Sequence, residues 1–215
     1  MVELRKRKAP SDSIPAQEKK TKPNEKKTPK DRTAEQKKPY DDNDHGPSPR
    51  GSAPKVGDTL SLDGFGGEIE THEGATTSLK TLVDASKAGV VLFTYPKAST
   101  PGCTKQACMF RDAYDRLSST GLSIYGLSTD SPKANTTFKT KQNLPYPLLC
   151  DQKATLIAAL GLKKVPKGTI RGVCVVDKTG KVLLLEPGSP AATVEAVEKL
   201  VSESSKEDSL KKVDT

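Results

Sequence analysis

The sequence contains no Trp, only four Phe and five Tyr, and two His in 215 residues. No apolar run approaches the ~20 residues needed to cross a bilayer. The basic N-terminus has no apolar stretch behind it of the kind that directs secretion. The chain is therefore expected neither to span a membrane nor to be exported. Four Cys over this length are too sparse for the disulfide framework of small secreted domains and read as intracellular thiols. Zinc needs about four ligands in suitable spacing. Cys103 and Cys108 offer two at an unusual gap, and Cys150 and Cys174 stand singly inside apolar segments, so no metal site is expected. The two His narrow the chemistry further. His45 falls in a charged, Pro-rich segment and His72 in an early turn, where a solvated loop histidine is the ordinary reading; a Cys-His or Ser-His engine would have to use His72. A Cys-x5-Arg loop is excluded, because Met109 and Tyr114 stand six residues after Cys103 and Cys108. The glycines at 64, 66 and 67 are no dinucleotide fingerprint, since the third position of the pattern is Ile69.

Charge is unevenly placed. Residues 1–55 carry 15 Lys/Arg against 9 Asp/Glu, a net of +6, and eight of the 16 Pro. Such a composition buries too little apolar surface to offset the entropy of ordering, and residues 1–55 are expected to form a disordered basic arm. The remainder, 56–204, is the size of one ordinary domain, with a frayed tail over 205–215.

Within that domain the hydrophobic pattern alternates between strand and helix signals. A weak strand is expected over 59–63 and another over 68–71, with a Ser78-capped helix over 79–83. The run Val90-Val91-Leu92-Phe93-Thr94-Tyr95 reads as a strand buried on both faces. A helix follows to about 118, with Ala107, Phe110, Tyr114 and Leu117 on one face. Next come a strand over 122–128, a helix opened by Ser131-Pro132, a short strand over 146–150 and a helix over 154–160. Two strands around Asp177-Lys-Thr-Gly180 form a hairpin, and an amphipathic helix runs from Pro190 to about 204. This order predicts an α/β domain with a central mixed β-sheet flanked by helices, in the thioredoxin-like arrangement.

Cys103 is the residue best placed for chemistry. It follows a buried strand and a Thr-Pro-Gly turn and stands at the start of a helix, where free N–H groups and the positive dipole end favour a thiolate. Arg171, opening a strand expected to lie alongside, is the candidate cation. The plainer alternative is that Cys103 is a small residue capping a helix.

Pro96-x-x-x-Thr100-x-x-Cys103 resembles the peroxiredoxin active-site pattern. The longer stretch Tyr95-Pro-Lys-Ala-Ser-Thr-Pro-Gly-Cys-Thr-Lys-Gln-Ala-Cys108 is similar to the bacterioferritin-comigratory-protein or peroxiredoxin Q branch. So are Gly126-Leu-Ser-Thr-Asp-Ser131, Leu144-Pro-Tyr-Pro-Leu-Leu149 followed by Asp151, and Arg171 before an apolar strand. With its basic arm, the chain resembles the fungal nuclear thiol peroxidases of that branch. The resemblance implies a thiol-dependent peroxidase that reduces hydrogen peroxide and organic hydroperoxides without metal or organic cofactor. Cys103 would be the peroxidatic thiolate, passing through a sulfenic acid. Thr100 would hold thiolate and peroxide, Pro96 would shield the site, Arg171 would stabilise the moving charge, and the N–H groups of Gly102 and Cys103 would help to bind peroxide. It further implies that Cys108 resolves the sulfenic acid within the same chain, that thioredoxin or a similar dithiol recycles the enzyme, and that the protein is a monomer. Cys150, Cys174 or an external thiol are the alternatives for resolution. The segment 161–169 is shorter and more basic than is usual in the branch, and Cys150 and Cys174 replace a small polar and an apolar residue there.

The arm supports two readings. Arg5, Lys6, Arg7 and Lys8, followed about ten residues on by further Lys, form a bipartite import signal, which places the protein in the nucleus by way of an import receptor; without it the location is the cytoplasm. The rival is a scaffold that contacts chromatin or nucleic acid through the arm. Interleaved acids and the lack of a stacking aromatic before Tyr40 limit this to weak, non-specific, salt-sensitive contact.

Overall fold

The computed structural model describes residues 53–211. The arm, with the cluster at Arg5, Lys6, Arg7 and Lys8, lies outside the described residues except for its last three. The elements run β1 (Glu68–Thr71), β2 (Thr76–Ser78), α1 (Leu79–Ala85), β3 (Gly89–Thr94), α2 (Pro101–Asp112), α3 (Tyr114–Ser118), β4 (Leu122–Ser128), α4 (Pro132–Gln142), β5 (Leu148–Cys150), α5 (Thr155–Ala159), β6 (Gly172–Asp177), β7 (Val182–Pro187) and α6 (Pro190–Lys211). Seven strands form one mixed sheet in the order β2-β1-β5-β4-β3-β6-β7, the thioredoxin-like arrangement. β3, β4 and β5 are parallel; β6 runs antiparallel to β3 and pairs Gly172 with Thr94.

Every residue of β3 is buried, because helices cover both faces of the sheet. Val91 and Phe93 point into one core with Ala107 and Phe110 of α2, Phe138 of α4 and Val197 of α6. Val90 and Leu92 point into the other with Leu79 and Val83 of α1 and Leu156 and Ile157 of α5. Phe93 stacks on Phe110 at 4.3 Å between ring centres and meets Tyr146 edge-on at 5.6 Å. The start of α2 is thereby fixed over the carboxyl end of β3, where open α/β sheets place their sites. Capping follows the sequence: the Ser78 and Ser131 hydroxyls accept from the N–H groups of Thr81 and Ala134.

Four sequence expectations change. Residues 59–63 make no strand: Thr59 forms a single bridge with Lys181, and the Leu60 N–H donates to the Gly180 carbonyl before the chain turns away. The helix expected to reach 118 bends at Ala113. Its phase survives, since Ala113 N–H donates to Met109 and Leu117 N–H to Ala113, so Phe110 and Leu117 stay buried. α6 continues to Lys211, past the point where a frayed tail was expected.

His72 is the fourth change, for it is 8% exposed rather than solvated. The Leu148 N–H donates to its Nδ1 at 3.4 Å, its own N–H donates to the Leu148 carbonyl, and its carbonyl accepts from the Thr136 hydroxyl. Burial, followed by the nearby Lys139 cation, holds its pKa below the ordinary 6.5. The residue is a joint between the β1–β2 turn and β5. No helix among the described residues is long and apolar enough to cross a membrane.

Candidate active site

α2 begins at the end of the loop that leaves β3, with Thr100 as its N-cap and Pro101 in its first turn. Cys103, the third helical residue, is 1% exposed. Arg171 reaches it from the residue before β6. The antiparallel β3–β6 register brings Arg171 to this end of the sheet, and the Thr94 hydroxyl fastens the junction by donating to the Ile170 carbonyl at 2.8 Å. Arg171 Nη2 donates to Cys103 Sγ at 3.4 Å. A Cβ at position 102 would meet Nη2 at 3.2 Å, so glycine there leaves room for the guanidinium. Among the described residues no carboxylate pairs with Arg171, and its positive charge is directed at the sulfur.

The second arm of the guanidinium reveals a residue with no role expected from its sequence position. Arg171 Nη1 donates to Gln106 Oε1 at 2.5 Å, and Gln106 Nε2 donates to the Thr193 hydroxyl at 3.1 Å. Gln106 is fully buried. It forms a bridge from α6 to the cation and thereby orients it. Its position three residues after Cys103, polar on the face that also carries Ala107 and Phe110, is the signal that could have singled it out.

The remaining expected residues lie around this centre. Thr100 is half-buried, and its hydroxyl proton goes to the Lys97 carbonyl at 2.9 Å instead of to the sulfur, leaving its lone pairs to accept. Pro96 lies exposed at the start of the loop, and Gly102 is half-buried beside Arg171. Cys108 is also on α2, half-buried, and its thiol donates to Gln142 Oε1 at 3.6 Å. All four thiols are free. Cys150 and Cys174 are buried in β5 and β6. Burial raises the Cys150 pKa despite a hydrogen bond from Asn135 Nδ2 at 3.1 Å, and pushes that of Cys174 up to about 12. Both are poor nucleophiles in the folded chain.

A helix N-terminus and a guanidinium that no carboxylate among the described residues neutralises converge on one buried sulfur. The sequence profile of the AhpC/TSA family matches residues 62–184. The chain belongs to this family. Among its relatives, Peroxiredoxin bcp1 of Schizosaccharomyces pombe is 42% identical over 153 residues, covering 70% of this chain and 75% of the relative. The putative peroxiredoxin bcp of Coxiella burnetii is 39% identical over 126 residues, covering 55% of this chain and 82% of the relative. The crystal structure of the peroxidoxin BcpB from Mycobacterium tuberculosis superposes with a TM-score of 0.62 at 32% identity, covering 69% of this chain and 97% of that one. The chain is thus a peroxiredoxin of the bacterioferritin-comigratory-protein and peroxiredoxin Q branch, a thiol peroxidase that reduces hydroperoxides.

Proposed function

We propose that this peroxiredoxin works by a two-cysteine, single-chain cycle with Cys103 as peroxidatic and Cys108 as resolving residue. The observation that carries the reading is the Arg171 Nη2 contact with Cys103 Sγ at the start of α2. The Cys103 thiolate attacks the terminal oxygen of the hydroperoxide. The O–O bond breaks, an S–O bond forms, and the leaving alkoxide takes a proton to give the alcohol, or water from hydrogen peroxide. Arg171 stabilises the charge as it passes from sulfur to the leaving oxygen. The Gly102 and Cys103 N–H groups and the Thr100 hydroxyl hold the peroxide, and Pro96 walls the entrance.

Cys108 then attacks the sulfenic sulfur, releasing water and forming a disulfide. Over five residues a regular helix turns about 500° and rises about 7.5 Å, which leaves the two side chains on different faces. A disulfide needs Cα atoms within about 7 Å and facing Cβ vectors. Residues 101–108 must therefore open locally after oxidation, losing the bonds from the Tyr146 hydroxyl to the Ala107 carbonyl and from the Cys108 thiol to Gln142. Thioredoxin or a similar dithiol protein reduces the disulfide by thiol exchange. Peroxide-dependent oxidation of thioredoxin, followed through its reductase, tests the cycle; full peroxide turnover with thioredoxin left reduced would refute this choice of reductant.

The protein acts in the nucleus as a monomer, carried there by an import receptor that reads Arg5, Lys6, Arg7 and Lys8. Support comes from the charge pattern of residues 1–30. Fusion of residues 1–30 to a passive fluorescent reporter is expected to concentrate it in nuclei, and replacing Arg5, Lys6, Arg7 and Lys8 by Ala to weaken this severalfold. A reporter that stays cytoplasmic would count against nuclear import.

A further inference from the structure

We propose that Asp130 is a positioning residue for the peroxide step, acting through the loop 96–100; the proposal rests on Cys103 being the peroxidatic thiol. This loop joins β3 to α2 without regular structure and is largely exposed. Within it Ser99 stands at φ +61°, a left-handed conformation that L side chains avoid unless the surroundings hold them there. The holding contact comes from a distant element. Asp130, between β4 and α4, accepts the Ala98 N–H on Oδ2 at 2.7 Å. A carboxylate on a backbone amide makes a short, charge-assisted bond of the stronger kind.

Asp130 is fixed in turn from below. Its own N–H donates to the Ser128 hydroxyl at 3.2 Å, and buried Asn135 donates to the same hydroxyl at 3.4 Å. Asn135 Oδ1 accepts from the Tyr95 hydroxyl at 2.8 Å, and Tyr95 immediately precedes the loop. The root of the loop and its midpoint are thus tied to one buried network. Among the described residues, the Ala98 bond alone links the backbone amides of 97–100 to another element. Two residues beyond Ala98 stands Thr100, whose hydroxyl and helix-capping backbone face the reacting peroxide in the proposed cycle. Asp130 touches neither sulfur nor peroxide in this scheme. It sets where Thr100 sits, whereas Arg171, oriented by Gln106 of α2, reaches the sulfur from the residue before β6.

This division of labour gives the proposal a test that global damage would not pass. Stopped-flow oxidation of full-length reduced protein by hydrogen peroxide reads the peroxide step. Iodoacetamide alkylation of Cys103 reads the thiolate without a peroxide site. Asp130→Ala is expected to slow oxidation about 10- to 100-fold, as small misplacements of reacting groups do, while leaving alkylation within about twofold. Asp130→Asn keeps an acceptor for the Ala98 N–H and is expected to retain most of the oxidation rate. Asp130→Ser, too short to reach Ala98, should behave as Asp130→Ala does and serves in its place if the Ala variant does not fold. Equal losses in oxidation and alkylation, or no loss in either, would overturn the proposal. Wild-type protein that alkylates at Cys103 but does not oxidise there would refute the underlying assignment, and the proposal with it.

Discussion

Cys103→Ser is expected to lower peroxide consumption by more than about three orders of magnitude, the scale seen when a nucleophile is removed outright. Serine nearly matches cysteine in size, and the position is 1% exposed within a packed helix turn, so the fold should persist. The loss is therefore chemical. A hydroxyl beside the same guanidinium does not ionise near neutral pH and cannot give the sulfenic acid on which resolution depends. Substituting either of the other buried thiols should be far milder. Cys174→Ser would place a hydroxyl in an apolar strand and cost stability, and Cys150→Ser would exchange one partner of Asn135 for another. Peroxide consumption beside thermal unfolding separates these cases. Turnover retained in Cys103→Ser would end the assignment.

Arg171→Met is expected to lower the rate constant for oxidation by about 10²- to 10³-fold, the range for removing one preorganised electrostatic partner of a developing charge. Methionine keeps much of the apolar stem, so the loss falls on the cation. Two bonds disappear together: Nη2 to Cys103 Sγ, and Nη1 to Gln106 Oε1. Lysine at this position would restore charge without the planar fork that serves both partners, and a partial recovery is expected. Gln106 then becomes informative. Its Oε1 is buried and loses its donor in Arg171→Met, which adds a stability cost of about 1–3 kcal/mol. Single-turnover oxidation across a peroxide concentration series, with unfolding measured in parallel, tells the catalytic effect from the structural one. An unchanged oxidation rate in Arg171→Met would remove the guanidinium from the mechanism.

Residues near one another in sequence made the centre of the site legible. Pro96, Thr100, Gly102, Cys103 and Cys108 fall within one loop and one helix, and the buried run of β3 fixes where that helix starts. Arg171 was accessible because it opens an apolar strand expected to lie next to β3, which the observed register bears out. Partners joined across long separations were not readable. Gln106 acquires its role from Thr193, 87 residues away, and Asp130 from Ala98, 32 residues away. His72 reads as a solvated loop residue for the same reason, since its hydrogen-bond partners belong to β5 and α4. β2 carries no strand signal because Thr76–Ser78 has no apolar residue and pairs only at the sheet edge. The segment 59–63 has the alternation of a strand, but its pairing stops after the Thr59 bridge to Lys181 and the Leu60 N–H bond to the Gly180 carbonyl.

Peptide mapping after one equivalent of hydrogen peroxide tests the central claim most directly. Reduced full-length protein is oxidised, remaining thiols are blocked, and the disulfide-linked peptides are identified by mass spectrometry beside the far-ultraviolet circular dichroism. The expected product is a monomer with Cys103 bonded to Cys108, Cys150 and Cys174 still free, and a reduced helical signal from the opening of residues 101–108. A Cys103 bond to Cys150 or Cys174, or a dimer linked between chains as the main product, would contradict the single-chain cycle, and Cys103 recovered as an unoxidised thiol would contradict its role as the peroxidatic residue.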